Sequence, residues 1–316
     1  MSLIIDSTYD FSVDPSSYFS SVGLYNSYIF LVGEKYLVAL DRDLNEVSYL
    51  LVSYDEGSIS VVNDSTFYVL ATVGLNKKVI KYSFDGVTIT EDVVSSSNVG
   101  NGGLHYFDGY VFVGSYASNL NTIEMLNPTT LAVEDGISGY GEALDITDDG
   151  TYVYAATRTH MIAVSRSGTS ISVAGNDANT WTSVGYSEST GYIVGENRND
   201  SNNSFMSLLT FNGSTFTNVS TYNHPGTFNA LSIACENDLI TQYEYSSDSF
   251  KVYKIFGDTI VYADALYCDI TLGFHTIEDG VIYFPGISIG LGSTDYKSLA
   301  LIRYIQTPCV LTHITY

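Results

Sequence analysis

Basic residues are scarce in this chain: 12 lysines and arginines stand against 35 aspartates and glutamates, a formal net charge of −23. Such a field repels phosphate backbones and anionic lipid head groups, so nucleic acid and membrane surfaces are disfavoured as partners. Cysteine is scarce as well. Cys235, Cys268 and Cys309 are too few, and odd in number, to form a disulfide framework, and none has the CxxC or His spacing of a zinc site. No apolar run approaches the roughly 18 residues of a membrane span. The first residues, MSLIIDSTYDFSVDP, lack the basic n-region and apolar core of a signal peptide. Hardly any window carries the helical period.

What is present is a repeated hairpin. An apolar strand, a tight Asp/Asn/Gly/Ser turn and a second strand rich in Tyr, Phe and Val recur seven times, with turns near Asn26, Asp64, Asp108, Asp149, Ser189, Asn237 and Asp279. The mean spacing is about 42 residues. A second turn series interleaves with the first, at RDLNE from Arg42, SFDGV from Ser83, NPTT from Asn127, SRSGTS from Ser165, FNGST from Phe211 and FGDT from Phe256. Each falls where the third-to-fourth strand hairpin of a four-stranded unit belongs. Two turn series with one period predict an all-β, single-domain, seven-bladed β-propeller over 1–316, its blades four-stranded and antiparallel. The expected blades are 20–56, 57–101, 102–141, 142–180, 181–228, 229–270 and 271–316. The segment 1–19 acts as a closing strand: Tyr9, Phe11 and Val13 alternate with Asp10 and Ser12, and this strand is expected beside CVLTHITY at the other terminus, closing the ring. ENRNDSNNS from Glu196 reads as a protruding polar loop.

The phrases TYVYAATRTHMIAVS from Thr151 and STFYVLATVGLNKKVIKYSFDG from Ser65 resemble propeller families with YVTN-type, quinoprotein-like or lactonase-like repeats. No WD dipeptide, repeated double-Gly kelch signature or sialidase-type Asp box accompanies them. The resemblance implies the fold. It leaves function open, because those families include hydrolases, binding modules and scaffolds.

Candidate chemistry is sparse. His105 and His275 fall at one position of the inner strand in the third and seventh units, and Asp145 takes that position in the fourth. Inner strands line a propeller's channel, so the three are candidate bases or ligands, with Asp145 and His275 the candidate metal ligands. The bland alternative is polar side chains facing a water-filled hole. GISIG around Ser288 matches a nucleophile elbow, but a further strand follows it where a helix is required. Asp145, Asp148, Asp149, Glu278 and Asp279 cluster at turns, where hairpin chemistry accounts for them better than calcium does. Sequons stand at Asn63, Asn199, Asn202, Asn212 and Asn218, about the number such a composition gives by chance. The 27 tyrosines suit strands, and also interfaces.

Two functions follow as expectations. The first is a non-catalytic interaction module binding protein subunits of an assembly or a host-surface ligand. It would be a virion or extracellular component, able to form homo-oligomers and needing no cofactor; a cytoplasmic location is the alternative. The second is a calcium-dependent lactonase-like hydrolase working at the channel mouth through His105, Asp145 and His275. A lectin-like propeller would show a repeated aromatic-plus-Asn pocket, and no such repeat is found.

Overall fold

The structure is a computed structural model that describes residues 2–10, 19–100, 102–115, 121–197, 204–224, 230–244, 249–267, 269–270, 275–288 and 298–305. Among them there is no helix, and the strands form seven antiparallel sheets. The first sheet shows the pattern: an inner strand Phe19–Tyr25, then Tyr28–Gly33, Tyr36–Asp41 and an outer strand Glu46–Leu51, each hydrogen-bonded to the next. Five more sheets repeat it, with inner strands Tyr54–Asn63, Leu104–Phe107, Ala143–Asp148, Ser183–Ser187 and Ala230–Glu236. The last sheet begins at Thr276–Glu278 and contains Val281–Ser288 and Ser298–Ile305; Asp269–Ile270 also pairs into it, against Ser288 and Ile287.

Turn chemistry fixes where each chain reversal falls. All seven turns of the first series join an inner strand to the second, and all six of the second series join the third strand to the outer one. At Asp108–Gly109 and Asp279–Gly280 both residues have positive φ (45° and 82°, 53° and 70°). That is the backbone of a tight hairpin whose twist matches its strands. In each of the first six sheets a register shift interrupts the pairing of third and outer strands, for example between Ala39 and Leu40 and between Ala163 and Val164. Such bulges raise local twist and swing the outer strand away from the plane of the inner ones.

Ser2–Asp10 is a strand that pairs antiparallel with Ser298–Ile305, from Ser2 opposite Ile305 to Asp10 opposite Ser298. It supplies the outer strand of the last sheet, so a segment from the start of the chain completes a sheet built from its end. Phe11, Val13 and CVLTHITY lie outside the described residues. Of the expected polar loop, Glu196 and Asn197 instead end the strand Tyr192–Asn197 and are both buried, and residues 198–203 lie outside the described residues.

The core lies between sheets. Phe30, Val32 and Leu37 of the first sheet pack with Tyr54, Phe67, Val69 and Tyr82 of the second. Phe112 and Met125 of the third meet Ile146, Val153 and Ile162 of the fourth. Tyr283 and Leu299 of the last sheet share a cluster with Phe19, Ile29 and Leu31 of the first. The inner strand of each sheet contacts that of the next, and the inner strand of the first also contacts the last sheet.

Trp181, the single tryptophan, fills the seam between the fourth and fifth sheets with Tyr154, Met161 and Val184. Its exposure is 1%, and its indole N–H donates to Asp177 at 3.2 Å. Truncating so large a buried side chain leaves a cavity that a close-packed interior closes only in part. Trp181→Ala is expected to lower unfolding free energy by about 3–5 kcal/mol, read as a lower midpoint in denaturant melts followed by circular dichroism.

Candidate functional site

A cavity of about 280 Å³ opens where the inner strands meet, and every sheet contributes to its wall. Ser21 comes from the first sheet, Ser58 from the second, His105 from the third, Asp145 from the fourth, Tyr186 from the fifth, Cys235 from the sixth and Thr276 from the last; His275 stands just before it. A larger hollow of about 560 Å³ adjoins it on the side of the hairpin turns. It is lined by Asp148, Glu188, Glu236 and Glu278 with Thr147, Tyr186, Asn237 and Cys235. Cys235 borders both spaces. Burial, and then the charge of Asp145, push its thiol upward, so it stays protonated and unreactive.

The structure brings His105, Asp145 and His275 to one cavity but gives them different positions. Asp145 and His275 each stand three residues before the closing pair of their hairpins, Asp148–Val153 and Glu278–Val281. His105 stands only two residues before Phe107–Tyr110. Strand side chains alternate with period two, so one residue of offset turns His105 the other way. Its Nε2 lies 2.6 Å from Asp148 Oδ2, both side chains being a quarter exposed. Burial by itself would raise the Asp148 carboxyl. The hydrogen bond and charge of His105, with the Gly150 N–H, outweigh it and hold that carboxyl below its usual range.

Asp145 keeps some accessible surface on the cavity wall, yet its oxygens are engaged by protein. Oδ2 accepts from the Ser183 hydroxyl at 2.5 Å and from the Val184 N–H at 3.0 Å, and Oδ1 accepts from the Ile146 N–H. Ser183 Oγ in turn accepts from the Ile233 N–H at 2.9 Å. One relay of hydrogen bonds thus links the fourth, fifth and sixth sheets at their inner strands. Burial raises the Asp145 carboxyl above its ordinary value despite these donors.

Serines make the corresponding ties elsewhere. The Ile59 N–H donates to Ser21 Oγ and the Tyr106 N–H to Ser60 Oγ, joining the first sheet to the second and the second to the third. His275 Nε2 lies 2.9 Å from Thr241 Oγ1, and its ring meets Phe250 edge-on at 5.0 Å. Burial pushes His275 down to about 4, so the ring is neutral at ordinary pH. Among the described residues no group of three or more His, Cys, Asp or Glu is placed to hold a metal.

The carboxylates at the turns act largely on backbone. Asp149 accepts from the Thr151 and Tyr152 N–H groups, Asp148 from Gly150, and Asp64 from Ser27 of the neighbouring sheet. Glu236 receives the Asp279 and Gly280 N–H groups of the last sheet. Ser288 ends the strand Val281–Ser288, paired with Asp269, and the last two residues of GISIG lie outside the described residues.

Sequence reasoning missed a second polar centre. Glu196 and His224 have fully buried side chains, 3.2 Å apart between the fifth and sixth sheets, beside Tyr253 and Gln242. Burial raises the Glu196 carboxyl, and His224 and Gln242 partly offset this. The only local signal was a glutamate closing the apolar strand YIVGEN, and the polar run after it disguised that.

No sequence-family model matches the chain, and no curated protein matches it in sequence. Solved structures do match. The RRP9 WD40 repeats superpose with a TM-score of 0.72 at 8% identity, over 96% of this chain and 99% of that one. The fold is a β-propeller. The β-propeller domain of Cps50 (Swd1) from Myceliophteria thermophila gives a TM-score of 0.70 at 8% identity, covering 96% and 100%. Hydrazine synthase from Kuenenia stuttgartiensis gives 0.70 at 11% identity, covering 95% and 99%. Identities this low carry the propeller architecture and nothing of the chemistry.

Two predictions follow from these side chains. Unfolded His275 takes up a proton near 6.5 whereas the folded residue resists until about 4. The depressed value means its contribution to stability is complete above 6.5 and is lost as pH falls through that window. Melts across pH should show this slope, and His275→Gln should flatten it. Asp145→Ala strips the acceptor from the Ser183 hydroxyl and the Val184 N–H. An orphaned buried donor costs about 1–3 kcal/mol, so the melting temperature should fall while Asp145→Asn loses less.

Proposed function

We propose that this propeller is a non-catalytic interaction module: a closed ring of seven blades that presents a rigid face to other proteins. The observation that carries it is the use of the cavity's polar side chains as ties between sheets. Asp145 and His275 at the cavity wall, and Ser183 beside it, are hydrogen-bonded to neighbouring protein groups, as a frame requires. The structural neighbours support the same reading, since one of them is described as part of the Mitotic Checkpoint Complex, an assembly of proteins.

Closure of the ring is part of this reading. Arg42 of the first sheet reaches Glu278 of the last at 2.6 Å, lies over the Tyr283 ring and also holds the Asn26 carbonyl. The acidic hollow beside the cavity, with the excess of carboxylates over the whole chain, suits partners with basic or amide-rich surfaces. A component of a virion or extracellular assembly fits the composition. A host-surface ligand, a second copy of the chain and a cytoplasmic assembly remain within the same proposal.

Cross-linking of the protein in its native source, followed by mass spectrometry, tests it. Partner cross-links on the turn-bearing face, reduced by Glu188→Lys with Glu236→Lys, are expected. A free monomer of 34.5 kDa without cross-links would overturn the reading. The calcium-hydrolase alternative draws on Asp145 at the cavity wall. It requires a calcium-dependent rise in melting temperature of a few degrees, reversed by chelator and absent in Asp145→Asn.

A further inference from the structure

We infer that Asn212 is a self-modifying residue, converting to aspartate and isoaspartate through a cyclic imide in the folded protein; this is independent of the binding reading. Four sheets place the same kind of side chain at the turn from third to outer strand: Asp41, Asp85, Asn127 and Asn212. Each oxygen accepts two successive turn N–H groups or a close equivalent. Asp85 Oδ1 receives Val87 and Thr88, Asn127 Oδ1 receives Thr129 and Thr130, and Asp41 Oδ1 receives Asp43 and Asn45. Asn212 Oδ1 receives Ser214 at 3.0 Å and Thr215 at 2.9 Å, and in addition the Ser214 hydroxyl at 3.1 Å.

Three donors converging on one amide oxygen form the arrangement that stabilises a tetrahedral oxyanion. The following residue then decides whether anything happens. Asp85 is held ionised below the usual carboxylate range by the Thr88 and Val87 N–H groups, and Asp41 first by the Asn45 side-chain amide and then by the Asn45 and Asp43 N–H groups; a carboxylate carbon is a poor electrophile. Asn127 is followed by Pro128, which has no N–H to attack with. Asn212 is followed by Gly213, unhindered and in an exposed turn. At the other Asn-Gly step of the sequence, Asn101–Gly102, the glycine N–H is already engaged: it donates to the Gly114 carbonyl at 2.8 Å, and a Cβ on Gly102 would strike the Ala143 carbonyl.

The step balances without an oxidant or a cofactor. The Gly213 backbone nitrogen bonds to Asn212 Cγ, the bond to Nδ2 breaks, and Nδ2 leaves as ammonia with the proton of the Gly213 N–H. Water then opens the imide at either carbonyl. Opening to aspartate restores the carboxylate that the first two sheets already use at this turn. Opening to isoaspartate puts an extra carbon into the backbone between Phe211 and Phe216, whose rings lie 4.8 Å apart and pack with Tyr154 in the seam of the fourth and fifth sheets.

The test holds the folded full-length protein in mildly alkaline buffer at physiological temperature, then maps its peptides by mass spectrometry with an isoaspartate-specific methyltransferase assay. Conversion at Asn212 about tenfold or more faster than at Asn101 is expected, with the two rates converging in urea and Ser214→Ala slowing Asn212 severalfold. An intact Asn212 in the folded protein, while the urea-unfolded chain reacts, would overturn the inference. So would a rate that Ser214→Ala leaves unchanged.

Discussion

Every part of this molecule depends on the packing of one small twisted sheet against the next. A four-stranded sheet alone cannot bury both faces, and its inner strand would stand as an open edge. Here Phe67, Tyr82 and Val69 of the second sheet are buried because the first sheet lies over them, and Val79 and Tyr68 because the third lies on the other side. The arrangement is quasi-one-dimensional, stability growing with each added neighbour. Pairing of Ser2–Asp10 with Ser298–Ile305 lets the final sheet borrow its outer strand from the start of the chain.

The same dependence explains the polar side chains of the inner strands, at the cavity and beside it. Inner strands of neighbouring sheets come close but do not pair, so their backbone N–H groups face across the seams. Buried N–H groups require acceptors. Ser21, Ser60, Asp145 and Ser183 provide them, each on the sheet preceding the donor. A carboxylate beside a cavity resembles catalytic equipment until its partners are counted. The few cations serve a similar end: Arg42 ties the first sheet to the last, and Arg166 of the fourth sheet pairs with Asp108 of the third.

The hairpin turns make the chain both acidic and structurally regular. Asp and Asn recur there because their short side chains accept turn N–H groups, as Asp85, Asn127 and Asp149 do. Carboxylates that accept backbone N–H groups recur at these turns, and two of them, Asp148 and Glu236, line the hollow together with Glu188 and Glu278. Charge and fold therefore share one origin, and a surface suited to basic partners arises with the turns themselves.

Sequence alone determined the strands, their turns and the number of repeats. A turn at Asp108–Gly109 or Asp279–Gly280 is a local matter of positive φ, and period-two alternation is legible wherever one face is buried. It also brought His105, Asp145 and His275 to the wall of one cavity. It did not determine their roles. His105 was one residue out of phase and paired with Asp148. Asp145 was claimed by Ser183 and Val184, 38 and 39 residues along the chain. Glu196 and His224 met inside a seam that no local pattern announces. A hydrogen-bond partner in the next sheet lies a whole repeat away in sequence. Only the rotation between neighbouring sheets, set by twist and side-chain packing, decides which atoms come within reach.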